Sequence, residues 1–144
     1  MAGKAADAVA FLQDDGAPLR HLLAGGECYT ELPFCLRVSD RDSSLYRSLA
    51  GHISAEAARD KALDVQGVID LAIRDAEGWT VVDYKTNVLR DHETPEQFRG
   101  RLRDTYTSQL CVYARVLEQT GAPVKRLLLC SIARGGELIE LTEE

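Results

Sequence analysis

A chain of 144 residues with 45% apolar and 28% charged side chains and four prolines fits one domain with one core, burying roughly 68–70% of its unfolded surface, and excludes collagen, coiled coil and wholesale disorder. No apolar run reaches the ~18 residues of a membrane span, and the opening MAGKAADAVAFLQDD has neither a secretory nor a transit pattern, so a cytoplasmic protein with no membrane partner is expected. With 17 basic and 23 acidic side chains and a net charge of −6, the chain is not one that coats DNA with its own positive surface, although an enzyme meeting DNA only at a cleft stays open.

Short helical patterns occupy residues 4–13 and 17–24, the second opened near Pro18 and closed by Gly25-Gly26. ECYTELPFCLRV at 27–38 reads as a strand interrupted or edged at Pro33. Residues 39–52 read as polar loop, and 54–63 as a short helix or an excursion between strands. LDVQGVIDLAIRD at 63–75 and WTVVDYKT at 79–86 then form a β-hairpin across Ala76-Glu77-Gly78. Period-two alternation places Leu63, Val65, Ile69, Leu71 and Ile73 on one face of the first strand, Val82 and Tyr84 on one face of the second, and the charged side chains on the other side. From Thr94-Pro95 to about Gln119 the spacing of Leu102, Tyr106, Gln109/Leu110, Tyr113 and Val116/Leu117 predicts a long helix, ended by Gly121. VKRLLLCSIA at 124–133 and residues 136–142 supply two last strands around Gly135-Gly136. The order is helices, three strands, long helix, two strands: an α/β arrangement with a mixed β-sheet flanked by helices.

The hairpin carries the chemistry. A turn symmetric about Ala76-Glu77 pairs positions whose numbers sum to 153, setting Asp70 opposite Asp83. Directly opposed carboxylates, with Cβ atoms ~4.5–5.5 Å apart, repel each other. Lys85 shares the face of Asp83 about 6.6–6.8 Å along the strand, which leaves the face one cation short. A divalent ion between the carboxylates resolves the imbalance, and hard oxygen ligands with room for water suit Mg²⁺ or Mn²⁺ better than zinc. A solvent-facing Asp70 and Asp83 with an ordinary Lys85 surface pair is the alternative. Gln109 places an amide in the helix stripe four residues before Tyr113, where it either finds a partner at the site or is an ordinary satisfied or snorkelling glutamine at the edge of the core. Arg99, Arg101 and Arg103 read as a solvated face or a phosphate-facing row, and His21, His52 and His92 carry no ligand spacing. Cys28, Cys35, Cys111 and Cys130 form no CxxC and read as reduced thiols.

In order, Glu31-Leu32-Pro33-Phe34, Gly67-Val68-Ile69-Asp70, Val81-Val82-Asp83-Tyr84-Lys85-Thr86 and Gln109-Leu110-x-x-Tyr113 resemble the RecB/AddA branch of the PD-(D/E)xK nucleases. The resemblance implies a restriction-endonuclease-like core and a metal-dependent DNA exonuclease domain of a helicase–nuclease used in double-strand-break repair and recombination. It makes Asp70, Asp83 and the Tyr84 carbonyl ligands of Mg²⁺ or Mn²⁺, makes Lys85 the residue that handles the attacking water, and sets Gln109 and Tyr113 at the site, with Glu31 as an accessory. DNA, a helicase domain or subunit and a partner subunit are the implied partners, and no iron–sulfur cluster is expected. Nothing in residues 1–30 matches the Gly-Thr-x-x-His element of this branch, so residues 1–144 are expected to be a single nuclease domain whose upstream His-bearing helix is missing, either a core belonging to a larger helicase–nuclease or a small stand-alone relative. The other reading is a catalytically inactive nuclease-fold module used for protein or DNA interaction.

Overall fold

The computed structural model describes residues 17–40, 43–52 and 63–141; the expected helix at 4–13 and all but the last residue of 54–63 lie outside them. A short helix α1 (Ala17–Ala24) leads into β1 (Glu27–Val38), then α2 (Ser44–Ala50), β2 (Leu63–Asp75), β3 (Gly78–Lys85), α3 (Pro95–Glu118), β4 (Val124–Ser131) and β5 (Glu137–Leu141). The strands form one sheet in sequential order. All neighbours are antiparallel except β3 and β4, which run parallel and are joined through α3. This is the mixed α/β sheet that the alternation of periods predicts.

Two elements differ from the sequence reading. Within the polar stretch 39–52 lies α2, capped by Ser43, whose hydroxyl accepts from the Tyr46 N–H, and anchored by buried Tyr46 and Leu49. The apolar run at 124–133 also ends earlier than expected as a strand, at Ser131, where Ile132–Arg134 turns as a 3-10 helix with left-handed Gly135 behind it.

The hairpin forms as its residues dictate. Five pairs, from Leu71 opposite Val82 to Asp75 opposite Gly78, obey the 153 rule. The Asp75 carboxylate accepts from the N–H groups of Glu77 (2.8 Å) and Gly78 (3.1 Å), closing the two-residue turn. Gly78 has φ 140 and abuts the Pro123 carbonyl, which leaves no room for a Cβ. Lys125 pairs with Asp75 and ties the start of β4 to the turn.

The long helix begins at Thr94-Pro95 as expected, and a capping box fixes its start. Thr94 accepts from the Gln97 N–H, and Gln97 reaches back to the Thr94 N–H. Its Phe98, Leu102, Leu110, Tyr113, Ala114 and Leu117 bury one sheet face with Ala72, Val81, Leu127, Leu129 and Ile139. On the other face Leu71, Ile73, Val82, Leu128 and Cys130 pack under Leu19 of α1. All four thiols are free, Cys111 and Cys130 buried and Cys28 and Cys35 exposed.

The expected single apolar face of β2 is therefore corrected. Leu71 and Ile73 face α1, but Ile69 joins the α3-side cluster, and Leu63 and Val65 pack with Tyr46, Leu49 and Val112. Strict period two fails at one place. The β1–β2 ladder runs from Glu27 opposite Arg74 to Val38 opposite Leu63 but omits Glu31, the residue that faces Asp70 in that register. Glu31 has φ 48, a left-handed backbone in mid-strand. The irregularity of β1 thus lies at Glu31 and not at Pro33, which pairs normally with Val68 on this edge strand.

After β3 the chain passes through residues 86–94 before entering α3. Arg101 grips this connection with its fork. Its Nε donates to Glu93 Oε2 (2.9 Å), and one terminal nitrogen donates to Glu93 Oε1 (3.0 Å) and to the Val88 carbonyl (3.0 Å). The Arg101 hydrogen bond, followed by the Arg90 N–H, holds the Glu93 carboxyl at about 2, well below its ordinary value of 4.5. A depressed carboxylate stabilises the fold above its unfolded value and loses that contribution as pH falls through the folded one. Glu93→Gln is therefore expected to lower the melting temperature at pH 7, with the difference from wild type closing between about pH 4.5 and 2 in a thermal melt series.

Candidate active site

The ladder between β2 and β3 stops at Leu71 opposite Val82. One step further the same register brings Asp70 across from Asp83, and there a side chain replaces the main chain: the Tyr84 N–H donates to Asp70 Oδ2 at 3.0 Å. On the other flank Asp70 faces left-handed Glu31 in the β1 register. Three carboxylates thus stand in a row across β1, β2 and β3. Asp70 and Asp83 are buried.

Lys85, two residues beyond Asp83, turns back so that its Nζ lies 2.6 Å from Asp83 Oδ2. That contact pairs the ammonium with the buried carboxylate, while buried Glu31 Oε1 has no hydrogen-bond partner. From the helix above, Gln109 Oε1 sits 3.5 Å from Lys85 Nζ, and Gln109 Nε2 donates to the Tyr113 hydroxyl at 2.9 Å. The i, i+4 spacing on α3 makes this pair possible. Tyr113 is set from below by Phe34, whose ring meets it edge-on at 5.6 Å and 73°. Phe34 in turn lies over Gly67, where a Cβ would approach its ring to 3.1 Å.

Glu31, Val68, Asp70, Asp83, Lys85, Gln109 and Tyr113 line one cavity of about 210 Å³. All the side chains singled out from the sequence as site residues meet there. Tyr84 enters through its main chain, its ring packing on the α1 side of the sheet. Gln109 differs in one respect from the sequence reading: it is exposed at the rim of the helix and not within the buried stripe, whose covered members are Leu110 and Tyr113. Val68 in the cavity wall and Tyr106, whose ring centroid is 3.9 Å from Lys85 Nζ, were not identified as site residues by sequence. Tyr106 had a readable signal, since it stands three residues before Gln109 on the same helical face.

The electrostatics follow from burial. Desolvation first, then the Asp70 carboxyl, pushes Asp83 up to about 6 against the opposing pull of Lys85. Burial, then Asp83 and Asp70, pushes Tyr113 up to about 12, so its phenol stays protonated. Elsewhere the arginines of α3 are engaged: Arg99 pairs with Glu137, Arg101 with Glu93, and Arg103 donates to the Glu140 carbonyl at 3.2 Å. They form no free phosphate-facing row. His21, His52 and His92 do not line the cavity.

The residues fit a hard divalent cation. Buried Asp70 and Asp83 share one face with too little positive charge, and buried Glu31 Oε1 beside them lacks a hydrogen-bond donor. Among the described residues no three His, Cys, Asp or Glu side chains converge into a closed ligand shell. One or two carboxylates supplemented by water are what Mg²⁺ ordinarily accepts, whereas structural zinc is enclosed by four N or S donors.

Residues 17–140 match the family model of the PD-(D/E)XK nuclease superfamily. The chain is 37% identical over 113 residues to the A subunit of the ATP-dependent helicase/nuclease of Carboxydothermus hydrogenoformans, covering 76% of this chain and 8% of that protein. It is 34% identical over 120 residues to the protein of the same name from Pelotomaculum thermopropionicum (83% and 8%), and 31% identical over 105 residues to that from Exiguobacterium sibiricum (73% and 8%). The chain thus spans about 8% of the length of these curated relatives. With an α/β core of mixed sheet and flanking helices, and a family match covering residues 17–140, the chain belongs to the PD-(D/E)XK nuclease superfamily.

Proposed function

We propose that this chain is the nuclease domain of a helicase–nuclease similar to these relatives, and that it hydrolyses DNA phosphodiester bonds with Mg²⁺ or Mn²⁺. The observation that carries the reading is the opposition of buried Asp70 and Asp83 beside Lys85 in a cavity open to Gln109 and Tyr113. An inert scaffold gains nothing from two adjacent carboxylates placed where burial first, and the neighbouring carboxyl second, raise the protonation of one of them.

In this reading Asp70 and Asp83 hold the cation, with the Tyr84 carbonyl as a third donor. The Tyr84 N–H is turned to Asp70, and an extended residue directs its N–H and C=O to the same side. Glu31 is an accessory acceptor at the edge of the set, reached through its own buried oxygen. When bound, the cation supplies Lewis acidity toward the phosphodiester and lowers the pKa of coordinated water. Lys85 orients the attacking water through its ammonium donors and offsets the negative charge that develops as that water gives its proton to solvent. Gln109 holds Lys85 through its carbonyl and Tyr113 through its amide, which leaves the protonated phenol as a donor toward the substrate backbone. The positive surface that draws in DNA is not made by Arg99, Arg101 or Arg103, which are engaged within the fold. It comes from the parent helicase or a partner subunit. The family's use in double-strand-break repair and recombination, and a role as an exonuclease, go with this assignment.

Two measurements test it. At a hundredfold excess over Kd, Mg²⁺ or Mn²⁺ should stabilise the fold by about 2.7 kcal/mol, a rise of roughly 5–10 °C in melting temperature. The shift should vanish in Asp70→Asn/Asp83→Asn, and an equal shift in that double variant contradicts the assigned ligands.

Lys85→Ala should lower cleavage by roughly 10²-fold or more while leaving the cation-induced shift intact, whereas Asp83→Ala should lose both. Cleavage by Lys85→Ala at the wild-type rate removes its role in handling water. A wild type that binds the cation and cleaves no DNA supports the inactive-module reading.

A further inference from the structure

Lys85 has a third neighbour besides Asp83 and Gln109. Its Nζ lies 3.9 Å from the centroid of the Tyr106 ring, well inside the ~6 Å within which an ammonium is attracted to an aromatic face. The lysine side chain is only 16% exposed, so water does little to screen that attraction. The ring is itself oriented: its hydroxyl donates to Asn87 Oδ1 at 3.3 Å. Asn87 precedes Val88, whose carbonyl is held by Arg101, which in turn is locked to Glu93. A rigid connection therefore runs from the capped start of α3 to the ring above Lys85.

Resting on the reading of Lys85 given above, we infer that Tyr106 is a positioning residue for the Lys85 ammonium. The physical need is specific. Asp83 is both the ion-pair partner of Lys85 and a proposed ligand, so once its carboxylate is committed to a cation the ammonium loses its strongest tie. The Tyr106 face and Gln109 Oε1 remain. Neither carries a charge that competes for the cation, and together they keep the long, otherwise rotatable lysine pointing into the cavity. Gln109 alone, at 3.5 Å, is at the limit of hydrogen bonding. The ring face, indifferent to the ammonium's rotation, supplies the constraint that one long hydrogen bond does not.

The test uses this chain without metal for one readout and with metal for the other. In proton–carbon NMR spectra of the metal-free protein, ring current should move the Lys85 ε-methylene protons upfield of those of the other lysines in wild type and in Tyr106→Phe, and return them to the common range in Tyr106→Leu. With Mn²⁺ and linear duplex DNA, Tyr106→Leu should lower kcat about tenfold, equal to about 1.4 kcal/mol, at unchanged KM, and Tyr106→Phe should restore it. Lys85 protons in the common range in the wild type overturn the inference whatever the cleavage data show. So does wild-type kcat in Tyr106→Leu, or an equal loss in both variants, which indicates that the ring merely fills space or that its hydroxyl is what matters. Absence of cleavage by the wild type itself counts against the nuclease assignment, and the NMR comparison then decides the placement of Lys85 alone.

Discussion

The hydrogen bond from the Tyr84 N–H to the Asp70 carboxylate organises this domain. It sits where the β2–β3 ladder ends, and it substitutes a charged acceptor for the main-chain carbonyl that another ladder pair would supply. A carboxylate in that position satisfies the amide and at the same time stands beside Asp83, so a single local exchange both closes the sheet's hydrogen-bonding and installs a pair of opposed negative charges. Everything else in the site answers to this pair. Lys85 folds back on it, Gln109 restrains Lys85, Tyr113 is pinned by Gln109 and Phe34, and Gly67 is small because Phe34 lies on it.

The repulsion built into the pair is supported by the rest of the fold. On the α3 side the sheet is covered by Phe98, Leu102, Leu110 and Leu117, all essentially inaccessible, and each such side chain contributes on the order of 1.5–3 kcal/mol by burial. That cover anchors α3 at a fixed height above β3, and with it the row Tyr106, Gln109 and Tyr113. Left-handed Glu31 belongs to the same arrangement. A non-glycine residue with φ 48 in mid-strand costs about 1–3 kcal/mol, and it marks the point where β1 directs a third carboxylate to the cavity and where the apolar alternation changes face.

Much of this was legible in the sequence because it depends on local chemistry. Asp75 and Gly78 define a two-residue turn, the turn fixes the 153 pairing, and the pairing brings Asp70 to Asp83 without reference to the rest of the chain. Thr94 and Pro95 announce the long helix in the same way. The failures are equally physical. Seven residues of α2 fall below the length at which periodicity speaks, although Ser43 as a cap and the Leu45, Leu49 spacing were available. The change of face in β2 was not available, since it falls beside left-handed Glu31 on a different strand, and period-two reasoning assumes a regular strand. Gln109 was placed correctly on the helix but one step too deep, because a stripe defined by spacing does not show where the sheet's edge lies. Family resemblance added the roles of the residues, and the similarity to the helicase/nuclease relatives runs over the same stretch.

The central claim is that Asp70 and Asp83 jointly hold one cation. Anomalous scattering from a crystal of this chain grown with Mn²⁺ tests it most directly. The account predicts a single strong peak within about 2.0–2.3 Å of one carboxylate oxygen from each aspartate. A manganese peak at any other place in the chain, or none between the two carboxylates at saturating Mn²⁺, contradicts it.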